Sequence, residues 1–217
     1  MNHAHVPAAL VALLLAASPA FAQTVASGWT EYHPQQTLFT MGYQMSQPIG
    51  SLHGYVDSAS FRGFTFDWRS LLTKQFSGGV RFAWNRYNQS FPDFTQTTTT
   101  GGTLSSPVYR YADQFAVEAI GHYYLDTGPD SRFLPFLGVG IGGVWSSSYQ
   151  QTIDLGVSQS GFYFIVSPEL GLNFVLARGS TTASLNLAVL YNFTTISFRN
   201  VSNAQSLAET IGLTFNY

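Results

Sequence analysis

Eight times along this chain, apolar and polar residues alternate with a period of two. That period belongs to a strand with one greasy face and one polar face. In 37–47 the apolar set is Phe39, Met41, Tyr43 and Met45, and Thr40, Gly42 and Gln44 lie between. In 60–71 Phe64, Phe66 and Trp68 oppose Gly63, Thr65, Asp67 and Arg69; in 76–88 Val80, Phe82 and Trp84 oppose Gly79, Arg81, Ala83 and Asn85. The segments 109–125, 133–150, 159–176, 181–195 and 206–217 repeat the pattern. Phe115, Val117, Ala119 and Tyr123 face away from Gln114, Glu118 and His122, and Leu137, Val139, Ile141 and Trp145 away from Gly138, Gly140 and Gly142. Phe162, Phe164 and Leu170 likewise face away from Ser167 and Glu169, and Leu185, Leu187, Val189 and Tyr191 from Ser184, Asn186 and Asn192. Each segment is long enough to cross a bilayer at a tilt.

The connections alternate too: 72–75, 126–132 and 177–180 are short and turn-like, whereas 48–59, 89–108, 151–158 and 196–205 are longer. The longest, 89–108, holds Pro92, the run Thr97 to Thr100 and a Gly101-Gly102 pair, and reads as an irregular loop. Only 9% of residues are charged, 16% are aromatic, and mean hydropathy is +0.07. Few charges, many aromatics and middling hydropathy suit a transmembrane barrel, in which lipid-facing and lumen-facing residues average out. In lipid every backbone donor and acceptor must be paired, so only a closed sheet will serve. The expected fold is therefore all-β: an eight-stranded, antiparallel, up-and-down transmembrane β-barrel over 37–217. A soluble eight-stranded barrel with its apolar faces turned inward is the alternative. The net charge of −2 gives no reason to expect nucleic acid, and the absence of cysteine excludes disulfides and thiolate chemistry.

Ahead of the barrel, the apolar run from Val6 to Ala17, the break at Ser18-Pro19 and Ala20-Phe21-Ala22 read as a signal peptide over 1–22, although its n-region has His3 and His5 in place of Lys or Arg. Residues 23–36 read as a polar periplasmic lead-in. At the other end, Thr210, Gly212, Phe215 and Tyr217 fill the pattern polar-x-Gly-x-x-aromatic-x-aromatic. This resembles the terminal signal by which bacterial outer-membrane barrels are recognised by their assembly machinery. With the strand count, loop asymmetry and signal peptide, the chain resembles the small outer-membrane β-barrel superfamily, which includes OmpA-, OmpX- and OmpW-like proteins. The resemblance implies residence in a Gram-negative outer membrane, contact with its lipid and lipopolysaccharide, and passage through the barrel-assembly machinery. It implies termini in the periplasm and long loops outside. Trp68, Trp84, Tyr123, Trp145 and Tyr191 are expected at the two interfaces.

The polar faces put Asp67, Arg69, Arg81, Glu118, His122 and Glu169 inside a barrel just wide enough to be filled by side chains. Unpaired, such charges would be expensive, so an ion-pair network plugging the lumen is expected. Gly138, Gly140 and Gly142 would make room for a long side chain such as Arg81. No catalytic, cofactor or metal site is expected. The glycines of 138–143 fit G-x-G-x-x-G but alternate inside a strand with no helix after them. His33, His53 and His122 are scattered and have no nearby Ser in a recognisable arrangement, which argues against a lipid A-modifying enzyme. Arg86, Arg110 and Arg199, with Asp57, Asp93, Asp113 and Asp154, read as loop charges at the outer rim. Two functions follow: a non-enzymatic barrel with a plugged lumen that acts through its surface loops, or an OmpW-like narrow channel for small, apolar molecules.

Overall fold

The computed structural model describes residues 36–97, 103–125, 127–128, 131–151, 156–177, 182–198 and 201–216. The expected signal peptide, the expected lead-in apart from Gln36, and Tyr217 lie outside these. The wall is a closed antiparallel barrel of eight strands: β1 (Thr37–Ile49), β2 (Gly63–Leu71), β3 (Phe76–Thr97), β4 (Thr103–Tyr124), β5 (Phe133–Gln151), β6 (Gly156–Ala177), β7 (Thr182–Thr194) and β10 (Gln205–Asn216). A helical turn, α1 (Gly50–His53), follows β1, and a two-stranded ribbon, β8 (Ser197–Phe198) with β9 (Val201–Ser202), precedes β10. The barrel closes by pairing β1 with β10.

The register fixes the tilt. Crossing the wall through directly paired residues from Phe39, by Trp68, Val80, Ala119, Ile141, Val166, Phe193 and Gln205, returns to β1 at Ile49. That stagger of ten residues inclines the strands by roughly 40°. At the seam Gly42 faces Gly212. A Cβ at Gly212 would lie 2.3 Å from the Met41 carbonyl oxygen, so this crossing accepts no side chain.

Along every strand the alternation sorts residues to opposite faces. Met41, Phe64, Trp68, Phe82, Phe115, Ile141, Phe164, Leu170, Val189 and Leu213 are exposed on the outside. Thr40, Gln44, Thr65, Asp67, Arg81, Asn85, Ser146, Ser167, Asn173, Ser184, Asn186 and Thr214 are buried inside. Apolar residues outside and polar or charged residues inside reverse the rule for soluble domains and match a wall that faces lipid.

The connections differ from expectation at the end away from Thr37, here termed the loop end. Residues 89–97 and 103–108 are strand where a loop is expected. β3 continues to Thr97 and β4 starts at Thr103, paired through Phe91–Val108 and, after a bulge, from Phe94–Ser106 to Thr97–Thr103. Outside the bilayer both faces of a hairpin meet water, so pairing persists without apolar alternation to announce it. β5 and β6 also extend to the Gln151–Gly156 pair. β3 to β6 therefore project as a four-stranded sheet beyond β7, which stops at Thr194, and β2, which begins at Gly63. The segments 48–59 and 196–205 are not plain loops either: β1 runs on to Ile49 and then α1, and the second holds the β8–β9 ribbon.

Candidate functional site

The lumen is the place where this chain concentrates its chemistry, and it is built in layers. At the terminal end Leu38, Leu71, Tyr124, Leu134, Phe136 and Val175 form an apolar floor, and Ala188, Leu190 and Ala208 carry the same cluster up the wall beside the ionic layer. Above it the wall brings Asp67 and Arg69 from β2, Arg81 from β3, Glu118 and His122 from β4, and Glu169 from β6 inward, all of them buried. Arg81 grips Asp67 with two hydrogen bonds, Nε to Oδ1 at 2.9 Å and Nη2 to Oδ2 at 3.0 Å, and gives a third from Nη2 to Glu169 Oε2 at 2.7 Å. Fork geometry of this kind suits guanidinium and carboxylate and makes the strongest charge-assisted bonds.

Arg69 lies one layer lower. It donates from Nη1 to the Tyr124 hydroxyl at 2.8 Å and to His122 Nδ1, and from Nη2 to Thr40 Oγ1 at 2.6 Å. Because Nδ1 accepts, the proton of the neutral ring sits on Nε2, which faces Glu169 Oε2 at 3.2 Å. The imidazole stacks on Phe136, with centroids 4.6 Å apart and planes 11° apart. Five of the six residues thus form one chain of contacts, from Asp67 through Arg81, Glu169 and His122 to Arg69. Glu118 stands directly beside Arg81 in the register but has no ion pair with it among the described residues, and its Oε2 has no hydrogen-bond partner there.

The β5 glycines make room, though not for Arg81. A Cβ at Gly140 would lie 2.4 Å from Glu118 Oε2, and one at Gly138 would lie 2.8 Å from His122 Cδ2. These residues are the near neighbours because Gly138 pairs with His122, and Gly140 precedes Glu118's own partner, Gly142, by two. Above the ionic layer a small cavity lined by Gln44, Asn85, Gln114, Glu118 and Asn192 has room for about one water.

A lid, unforeseen in the sequence, closes the loop end. Leu52, Tyr55 and Val56 come from α1 and the residues after it; Ile196, Val201 and Ala204 come from the ribbon and its flanks. All six pack against Ala83, Tyr87, Ala112, Ala116, Val144 and Ile165 of the wall. Ser51 Oγ donates to the Ser202 carbonyl at 2.7 Å and ties the two halves together. Arg110 clamps the lid to the rim, because its guanidinium lies 5.2 Å from the Tyr55 ring and 4.8 Å from the Phe91 ring, and Nη1 donates to the Tyr55 carbonyl at 3.1 Å. Three of the expected rim charges are engaged. Arg110 belongs to the lid clamp, and Arg86 holds Asp113 through two bonds of 2.7 and 2.8 Å on the outer wall. Arg199 and Asp154 lie outside the described residues. The helical turn carries His53 at the surface, away from His122.

On the outside, Trp84 and Trp145 belong to one continuous row of directly paired aromatics: Tyr43, Phe64, Trp84, Phe115, Trp145 and Phe162. Tyr191 sits near the loop end of β7 and donates its hydroxyl to Gln205 at 3.0 Å. Trp68 and Tyr123 lie toward the opposite end, exposed. Of the terminal pattern, Thr210 faces the lumen, Gly212 is the seam glycine and Phe215 faces outward.

A closed eight-stranded wall of this stagger, apolar outside and polar inside, has the fold of the small outer-membrane β-barrels. It is similar to the crystal structure of Ail, the attachment invasion locus protein of Yersinia pestis, in complex with the heparin analogue sucrose octasulfate. The TM-score is 0.52 and the identity 13%, over 85% of this chain and 100% of that one. A second crystal structure of Ail gives the same TM-score at 12% identity. Neisserial surface protein A (TM-score 0.47, 13% identity, 88% and 98% covered) and the outer membrane protease OmpT from Escherichia coli (0.46, 9%, 85% and 97%) are more distant. No protein-family model and no curated protein sequence matches the chain.

Proposed function

We propose that this is a non-enzymatic outer-membrane barrel with a closed lumen, working through its loop end: the projecting β3–β6 sheet and the lid. The observation that carries the reading is the filling of the lumen by floor, ionic layer and lid in succession. All of the six but Glu118 are turned toward one another, and the cavity beside Glu118 has room for little more than a water, which supports a structural part for them. In this reading the termini lie in the periplasm, and the projecting sheet stands above the lipopolysaccharide, where it presents backbone edges and side chains to whatever the cell surface meets.

The test is single-channel conductance of residues 23–217 refolded in a planar bilayer. A silent barrel, proved folded by heat-shifted gel migration, is the expected result. Discrete openings would overturn the closed-lumen reading and favour a narrow channel in which the lid lifts. The small cavity under the lid is the feature that would then begin the path.

A further inference from the structure

Two residues above the aromatic row on each strand runs a second outward row. It includes Asp113 on β4, Arg86 on β3, Arg62 just before β2, Met45 on β1 and Glu209 on β10. Arg86 and Asp113 satisfy each other. Glu209 and Arg62 do not share in this. Glu209 is exposed on the outer face of β10, between exposed Leu207 and Ile211, and pairs in register with Met45 and Val189. Its carboxylate has no hydrogen bond or ion pair among the described residues, and neither has the Arg62 guanidinium. The β1–β2 ladder stops at Tyr43–Phe64 and resumes as a Ser46–Ser60 bridge, which sets Phe61 and Arg62 beside Met45. Glu209 and Arg62 therefore flank Met45 on opposite sides, about 10 Å apart at the backbone, two strand spacings. Tyr43, Phe61 and Ile211 are exposed around them.

We infer that this seam face is a homodimer interface, in which a second copy of the chain supplies the missing charges. The inference rests on the membrane reading above. Two copies inserted in the same orientation can be related only by an axis parallel to the membrane normal. When that axis passes just outside Met45, Glu209 of one copy lies on the same side of the contact as Arg62 of the other, and Arg62 as Glu209, with the two Met45 side chains between them; the tilt leaves about 6 Å of height within each pair, which the long arginine side chain spans. Such an interface is isologous and self-complementary. On a face turned to lipid an unpaired carboxylate is costly, and a pair between barrels relieves it. Apolar side chains alone give little reason for two barrels to associate in lipid, because lipid tails are as apolar as they are. The opposed charges supply that reason and fix the register of the contact.

The full mature chain is refolded in phospholipid vesicles, insertion is verified by heat-shifted migration, and single cysteines are introduced into this cysteine-free sequence. Met45→Cys should give an oxidised covalent dimer, and Ile141→Cys, on the far wall, should not. Glu209→Arg or Arg62→Glu, each in the Met45→Cys background, should cut the dimer yield at least fivefold. Mixing the two charge variants should restore it, because in that heterodimer position 209 of each copy again faces a position 62 of opposite charge. Equal yields at positions 45 and 141, no loss in the single charge variants, or no recovery on mixing would each overturn the dimer while leaving the membrane reading intact. Failure of the unsubstituted chain to insert would overturn both.

Discussion

Replacing Arg81 with Met removes the centre of the ionic layer while keeping an unbranched side chain in its space. The variant loses three charge-assisted hydrogen bonds at 2.7–3.0 Å and leaves the Asp67 and Glu169 carboxylates buried without a guanidinium between them. Breaking a buried pair in this way costs about 3–5 kcal/mol, because the abandoned charge stays desolvated. At about 1.4 kcal/mol per decade, the folding equilibrium should fall by roughly 100- to 4,000-fold. The measurement is a urea titration of the barrel in lipid vesicles, followed by tryptophan fluorescence and gel migration, with the midpoint expected to drop at unchanged slope. Adding Asp67→Asn should recover part of the loss, since the pair couples by about 0.5–3 kcal/mol. Arg86→Met is the comparison: that pair stands on the outer wall with side chains 42% and 31% exposed, not enclosed in the lumen, and its loss should cost less than that of Arg81. If Arg81→Met falls no further than Arg86→Met, the ionic layer is not what holds the lumen together.

Two other substitutions separate parts of the design. Gly142→Ala should abolish the heat-resistant folded band, because its Cβ would lie 2.0 Å from the Val117 carbonyl oxygen and only a backbone shift could relieve it; Gly140→Ala should fold, since the atom it meets is the movable end of Glu118. Arg110→Ala should leave the urea midpoint of the wall unchanged yet make residues 50–57 cleavable by added protease, the loss of the lid clamp being worth about 1–2 kcal/mol.

The wall was legible in the sequence because the bilayer writes itself into every strand that crosses it. Lipid on one side and a narrow polar lumen on the other force a residue-by-residue alternation. That same alternation placed Asp67, Arg81, Glu118, His122 and Glu169 inside. Beyond the bilayer the forcing stops, so the β3–β4 hairpin, with Pro92 and its threonines, looked like a loop. The lid left no periodic trace either: Leu52, Tyr55, Val56, Ile196 and Val201 are apolar residues in segments with no regular spacing, and only tertiary packing reveals their common purpose. Which glycine admits which side chain depends on stagger, and stagger is a sum over all eight strands that no single segment carries. Glu209 was within reach, since it falls on the same face as Ile211 and Leu213 once the final alternation is read back to Ser206.

The two halves of the lid are joined across 151 residues of sequence, and each is attached to a seam strand, α1 to β1 and the ribbon to β10. Their contact spans the seam where the first and last strands lie side by side. The stopper of this vessel therefore straddles the join of its wall, so that a barrel parted along β1 and β10 would lose its closure at the same stroke.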